Sequence, residues 1–334
     1  SKCKFDEQTV SNSPKMVSVT IQIYNQIAQD LRPTPTKSHY TFNLRDVAKV
    51  FQGCMMVRAK EANNDKDFTR LWIHEIMRVF CDRLVNFDDV AYFQKMVAEF
   101  VGRGFTYGWS QEDLFENKEQ PLQFCNFLRP PLEDGTPVYE PVKDLVKQKR
   151  ILNDQLEDYN MSNPTQMKLV FFADAIAHIC RIARVLSQPR GNAMLVGVGG
   201  SGKQSVTRMA CWMAETQVYQ IEMVRGYNHL SFIENLKEIM ITTGVEGKQL
   251  AFVLVDTQIV DESFLEDVNN ILNTGQVPNM FASDEYNKIC EDLRPAMKKF
   301  GVDTRDGLRK AFVDRVRTNL HSVLCHSHVG DALR

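Results

Sequence analysis

Met194-Leu195-Val196-Gly197-Val198-Gly199-Gly200-Ser201-Gly202-Lys203-Gln204 joins a short apolar run to a glycine-rich turn, and the turn opens into a helical pattern through Met209 to Ala214. Strand, glycine loop, lysine and helix is the order that a phosphate-binding loop requires. Glycines let main-chain N–H groups turn inward and approach phosphate oxygens with no Cβ in the way. The helix after the loop adds the positive end of its dipole, and Lys203 supplies a point charge for the terminal phosphates. Working outward, Val218 to Met223, Leu250 to Val255 and Leu320 to Cys325 are further short apolar runs, the last preceded by a helical stretch from Leu308 to Val316. Strands separated by helices predict a parallel α/β sheet.

The third run ends in a carboxylate, Leu250-Ala251-Phe252-Val253-Leu254-Val255-Asp256. At the end of a buried strand beside a phosphate loop, such a carboxylate binds magnesium through water. Two positions depart from the usual pattern. The residue after the lysine is Gln204, where a Ser or Thr hydroxyl ordinarily binds the metal, and Ser205 lies about 100° further round the helix. An amide oxygen of Gln204 would reach the metal directly or through water, so magnesium coordination is weakened rather than excluded, and Gln204 and Asp256 are the expected magnesium residues. The residue after Asp256 is Thr257, where a glutamate would deprotonate the attacking water. A hydroxyl is a very poor base at neutral pH, and Asp261 or Glu262 would have to swing in from a loop to replace it. Binding with little turnover is the expectation.

The first hundred residues show helical periodicity and no strand alternation. Val17, Ile21, Tyr24, Ala28 and Leu31 mark a helix stopped by Pro33 and Pro35; Asn43 starts a second, with Leu44, Val47, Phe51 and Met55 on one side. A third carries Phe68, Leu71, Trp72, Ile76, Val79 and Phe80, and Asn86 with Asp89 resembles a capping pair that opens a fourth. Glycines and prolines then crowd residues 102–138, which read as a connector wrapped on the surface. Two helical patterns come next, one through Val142, Leu145, Leu152 and Tyr159, the other from Met167 to Leu186.

Charged residues make up 25% of the chain and the formal charge is −2, with both signs scattered. That balance lacks the basic footprint of a nucleic-acid binder. No apolar run reaches the roughly 18 residues needed to span a bilayer, and Ser1-Lys2-Cys3-Lys4 is not followed by the apolar core of a signal peptide. None of the eight cysteines forms a C-x-x-C pair, which suits reduced thiols in the cytoplasm. Cys325-His326-Ser327-His328 is the one cluster resembling metal ligands, without a fourth ligand at zinc spacing.

Longer stretches bring a family into view. Gly197 to Thr207 (GVGGSGKQSVT) resembles the phosphate loop of the fourth AAA+ module of axonemal-type dynein heavy chains, including the glutamine after the lysine. Arg225 to Ile239 (RGYNHLSFIENLKEI), Gly244 to Lys248 (GVEGK) and Asp256 to Glu285 are similar to the segments downstream of that loop in the same module, including the threonine in place of glutamate. Pro33 to Gly53 (PTPTKSHYTFNLRDVAKVFQG) and Leu71 to Val85 (LWIHEIMRVFCDRLV) resemble the small helical subdomain closing the third module. The resemblance implies a P-loop NTPase of the AAA+ class, its parallel sheet incomplete at the C-terminus and preceded by a small all-α bundle. Residues 1–118 would be the helical subdomain of the preceding module and 119–334 a partial large domain of the next. In the family's strand order, 5-1-4-3-2, four strands are readable here, so a piece of a much larger polypeptide is expected.

By position, the resemblance assigns ATP or ADP, with Mg2+, to Gly197, Gly199, Gly200, Ser201, Gly202, Lys203, Gln204, Ser205 and Asp256. Ser327 falls at the sensor-1 position, although the family's Ser-Pro is here Ser327-His328, and Arg45 matches a sensor-2 arginine facing the preceding module's nucleotide. No arginine finger is assigned. The implied partners are the other AAA+ modules of the same heavy chain and, through the parent motor, the microtubule and the dynein intermediate and light chains. No nucleic acid or membrane is implied. The implied place is the cytoskeleton of the ciliary or flagellar axoneme, and the parent carries a coiled coil. Two rivals stand beside this reading. One is an AAA+ remodelling ATPase or unfoldase subunit, against which Thr257 argues; the other is a nucleotide-free scaffold, against which Gly202, Lys203 and Asp256 argue.

Overall fold

The computed structural model describes residues 5–62, 64–117 and 121–327. They fall into two compact units, one of residues up to 164 together with 170–181, the other of 165–169 and 182–327.

The first unit opens with four helices whose starts are written in side chains. Asp6, Asn43, Asn64 and Asn86 cap α1 (Glu7–Asp30), α2 (Leu44–Cys54), α3 (Asp65–Ile76) and α4 (Phe87–Gly104), each accepting a main-chain N–H of the first turn. At α2 the cap is reciprocal, with the Asn43 N–H donating to Asp46 Oδ2 at 3.1 Å. α3 continues as a π-turn over Met77–Cys81. Met16, Ile23, Ile27, Val50, Trp72, Phe80 and Phe93 form the core.

On α1 the buried side is offset from the one that periodicity predicts: Tyr24 and Leu31 pack against the core as expected, but Val17 and Ile21 do not. Met16, Val19, Thr20, Ile23 and Ile27 face inward, whereas Val17 and Ile21 are about two-fifths exposed. The physical reason is a polar one. The indole N–H of fully buried Trp72 needs an acceptor, and it donates to Thr20 Oγ1 at 2.9 Å, whose own proton goes to the Met16 carbonyl at 2.7 Å. α2 keeps the middle of its predicted face, with Val47 and Phe51 packed against the core, but not its ends. Leu44 and Met55 are exposed, and Asp46 is buried because it serves both the cap and the Arg83 guanidinium at 2.9 Å.

The expected surface connector is in part core. After the short helix α5 (Gln111–Phe115), the two-residue strand β1 (Phe124–Cys125) pairs antiparallel with β2 (Glu140–Pro141), and Phe124, Phe127, Val138, Tyr139 and Val142 are buried. Its prolines and glycines bend the chain without keeping it in solvent. Next comes α6 (Leu145–Ser162), then α7 (Ala173–Leu186), which starts six residues later than the apolar run from Met167 suggests.

The second unit is a four-stranded parallel sheet in the order β3-β6-β5-β4. In chain order it comprises β3 (Ala193–Val196), α8 (Lys203–Met213), β4 (Gln217–Gln220), α9 (His229–Ile241) with a π-turn over Thr242–Glu246, and β5 (Leu250–Val255). α10 (Ser263–Thr274), α11 (Ser283–Lys298), α12 (Arg305–Asn319) and β6 (Leu320–His326) complete it. This is the strand order expected for strands 1 to 4 of the AAA+ arrangement. All six residues of central β5 are buried, as a strand covered on both faces requires. Phe232 of α9 stacks on Phe264 of α10 with ring centroids 4.1 Å apart, and Phe252, Leu236 and Phe312 close the core around them. Among the described residues no helix is long and apolar enough to cross a membrane.

Candidate nucleotide site

Register decides what meets what. Val196 is level with His326, and Val255 with Cys325, so β3, β6 and β5 release their following loops at one edge of the sheet. Those loops begin with Gly197, Ser327 and Asp256, the three positions singled out in the sequence.

The glycine loop is anchored by the Gly197 N–H, which donates to the His326 carbonyl at 3.1 Å, and turns on a Ser201 N–H to Val198 carbonyl bond of 3.2 Å. Gly200 and Gly202 have φ of 77° and 82°, a region in which a Cβ is strained. Gly202 is the N-cap of α8 and no side chain caps that helix. The first N–H groups of α8 therefore have no side-chain acceptor, which suits an anion. Lys203 Nζ reaches back over the loop and donates to the carbonyls of Gly197 and Val198, each at 2.8 Å, with Ser201 Oγ at 3.4 Å. These bonds bend the loop around the ammonium group. Gly199, Gly200 and Gly202 have open space where a Cβ would stand. A polyphosphate fits this cradle.

Asp256 begins a 3-10 turn over Asp256–Gln258. Its Oδ2 accepts the Ser327 N–H at 2.8 Å and its Oδ1 accepts the Thr257 N–H at 2.9 Å. Hydrogen bonding from Ser327 holds this carboxyl below its ordinary range, so it is ionised at neutral pH. The fold thus joins Ser327 to Asp256 directly. Thr257 is exposed on the turn, and Glu262 is exposed where α10 begins. Asp261 Oδ1 accepts the Ser263 N–H at 2.9 Å and is engaged in that turn. Ser205 lies in the first turn of α8, partly exposed. Arg45 belongs to the first unit, exposed in the first turn of α2, with its N–H on the Asn43 side chain at 2.9 Å. His328 lies outside the described residues, as does the expected boundary at 118/119. Among the described residues no three His, Cys, Asp or Glu side chains converge to hold a metal ion.

The profile described as "P-loop containing dynein motor region D4" matches residues 167–334, and that described as "AAA+ lid domain" matches 16–110. The chain belongs to the axonemal dynein heavy chain family. It is 44% identical over 330 residues to human dynein axonemal heavy chain 6, covering 98% of this chain and 8% of that protein. It is 43% identical over 333 residues to the Chlamydomonas reinhardtii dynein-1-beta heavy chain of the flagellar inner arm I1 complex, covering 99% and 7%. With the ciliary dynein beta chain of Heliocidaris crassispina it shares 39% identity over 325 residues, 96% of this chain and 7% of the other. The chain thus spans 7–8% of the length of these relatives.

Within this dynein segment three residues of the site carry no sequence signal. Gln258 is buried, and its Oε1 accepts the Val255 N–H at 3.0 Å while its Nε2 donates to the Ile221 carbonyl at 2.7 Å. It ties the end of β5, and so Asp256, to the chain leaving β4. Gln220, at the end of β4, donates from Nε2 to Gln204 Oε1 at 3.3 Å, and its own Oε1 accepts from Arg208 at 2.5 Å. The expected magnesium residues thus meet prior partners. The amide oxygen of Gln204 accepts one bond from Gln220, and both oxygens of Asp256 accept main-chain N–H groups. Each of these oxygens keeps lone-pair capacity, so beside a phosphate in the cradle Gln204 and Asp256 are the residues that would hold a divalent cation.

Proposed function

We propose that this chain is a nucleotide-binding segment of a dynein motor ring, and that its site holds ATP or ADP far more than it hydrolyses it. The phosphate cradle of Gly197 to Ser205 folded about Lys203 is the observation that carries this reading. Residues 1–118 are the lid closing the third module and 119–334 part of the large domain of the fourth, a division supported by the lid and motor-region matches. Arg45 serves the nucleotide of the preceding module. The bond from Ser327 to Asp256 supports a sensor role for Ser327. Thr257, a hydroxyl on an exposed turn where a carboxylate would act as base, limits turnover. Such a site regulates or braces the ring, and the parent motor works with its other AAA+ modules, the microtubule and the intermediate and light chains.

Single-turnover hydrolysis of Thr257→Glu against the parent tests the division between binding and turnover. A positioned general base contributes about 10²–10⁴-fold, and a gain of at least about tenfold is expected from an introduced one. An unchanged rate, with nucleotide still bound, would show that the missing carboxylate is not what limits turnover.

A further inference from the structure

β3 and β6 begin at the sheet edge opposite the glycine loop, and a small open pocket lies there against the last turns of α10 and α12. Its floor is apolar: Ile271, Val316 and Leu320 are buried, and Leu272 is 38% exposed. Its rim carries the guanidiniums of Arg190 and Arg317, and no carboxylate lines it.

Both arginines are held by the fold. Arg190 has a φ of 62°, a left-handed conformation that a residue with a Cβ keeps only where its surroundings impose it. Asn192 imposes it from one side, donating from Nδ2 to the Arg190 carbonyl at 3.2 Å while its Oδ1 accepts the Ser322 N–H at 2.8 Å. The Gly191 carbonyl accepts from buried His321 at 2.7 Å, so the loop before β3 is pinned to β6. Arg317 is placed by a glycine. Gly275 ends α10 with a φ of 80°, and the Arg317 stem crosses it so closely that a Cβ there would stand 2.3 Å from Arg317 Cγ. Arg317 lies in the last turn of α12, where a cation suits the helix dipole, but that attraction leaves its fork of donors open to a ligand. Among the described residues no carboxylate pairs with Arg317, and Arg190 meets Asp314 loosely, at 3.8 Å with both side chains about half exposed.

An apolar floor beneath guanidiniums short of carboxylates selects a ligand that is aliphatic at its tip and anionic beside it. Size narrows the choice. A pocket of about 60 Å³ has room for a few waters or one aliphatic side chain, so the rest of its ligand lies outside. A polypeptide is built that way. We propose that this pocket docks an acidic segment of a partner protein, with one leucine-sized side chain on the floor and a neighbouring carboxylate on Arg190 and Arg317. This surface stands apart from the nucleotide site, which lies at the other edge of the sheet.

Methyl NMR on the full chain tests it, with the capped peptides Glu-Leu-Glu, Gln-Leu-Gln and Glu-Ser-Glu as probes. Glu-Leu-Glu should saturate at millimolar concentration and shift the methyl signals of Ile271, Leu272, Val316 and Leu320. Gln-Leu-Gln keeps the shape without the charge and should bind about tenfold more weakly, the size of one lost charge-assisted contact. Loss of the aliphatic side chain should weaken Glu-Ser-Glu by about tenfold as well. Arg317→Gln should bring the two leucine peptides to within about twofold of each other, and Arg190→Gln should narrow the gap in the same direction. Glu-Leu-Glu that does not saturate, that shifts other methyls instead, or that loses nothing on becoming Gln-Leu-Gln overturns the proposal. So does an Arg317→Gln chain, folded by circular dichroism, that keeps the full difference. The same methyl shifts appearing when the chain alone is concentrated would assign the pocket to a second copy and overturn the partner reading.

Discussion

Replacing Gln258 with alanine cuts a buried link between two strands at the floor of the site. Gln258 is 5% exposed, and the groups it serves, the Val255 N–H and the Ile221 carbonyl, belong to residues 7% and 4% exposed. Water does not reach them easily when the amide is gone. The two bonds, 3.0 and 2.7 Å long, are of ordinary strength. Losing them matters less than leaving a donor and an acceptor orphaned, at about 1–3 kcal/mol each. The sum is about 2–6 kcal/mol, a large part of the 5–15 kcal/mol that a domain typically has. At about 2–4 °C per kcal/mol for a unit of this size, the midpoint should fall by about 4–24 °C. Urea unfolding followed by tryptophan fluorescence measures the loss of free energy and a thermal scan the fall in midpoint, with Gln258→Met as a control that refills volume without restoring a donor. The control should recover under half of the loss. A loss below about 0.5 kcal/mol for alanine, within the range of an ordinary surface change, would refute the burial reasoning.

Three further outcomes are expected. Gly244→Ala should destabilise the second unit by about 1–3 kcal/mol or more, because its Cβ would lie 2.4 Å from Phe312 Cε2 and 2.9 Å from Val316 Cγ2; wild-type thermal stability would contradict this. Thr20→Val keeps the shape but orphans the Trp72 indole N–H, so it should cost about 1–3 kcal/mol in chemical denaturation, where a purely apolar core would tolerate it. Burial pushes the His321 imidazole below its ordinary 6.5 while its Nδ1 donates to the Gly191 carbonyl at 2.7 Å. The folded state therefore holds it neutral where the unfolded chain takes up a proton. Its contribution is full above about pH 6.5 and is lost as the pH falls from there through the folded value. His321→Gln should flatten stability between pH 7 and 5, and an unchanged slope would count against it.

Much of the second unit is legible in the sequence because its signals are local. Each short apolar run, of three to six residues, meets a strand of the parallel sheet, although Val218 to Met223 runs on past β4, which ends at Gln220, and the glycine loop stands between β3 and α8 where a phosphate loop must. The caps Asn43 and Asn86 are equally plain, since a capping residue acts within one turn. The features that mislead depend on partners far along the chain. Which face of α1 is buried depends on an indole 52 residues away, and periodicity cannot weigh Thr20 against Val17 without knowing that Trp72 lacks an acceptor. The prolines and glycines of 102–138 suggest a surface connector, whereas Phe124, Phe127 and Tyr139 supply core. At the site, the types of Lys203, Asp256 and Ser327 announce their chemistry, but Gln258, Gln220 and Arg208 are ordinary polar residues until the fold brings them together.

The structure of this chain with ADP tests the central claim most directly. The β-phosphate should lie within about 3 Å of Lys203 Nζ and of the first N–H groups of α8, with Gly200 and Gly202 still left-handed. ADP bound elsewhere, or a loop at residues 197–204 closed upon itself so that no diphosphate enters, would contradict it.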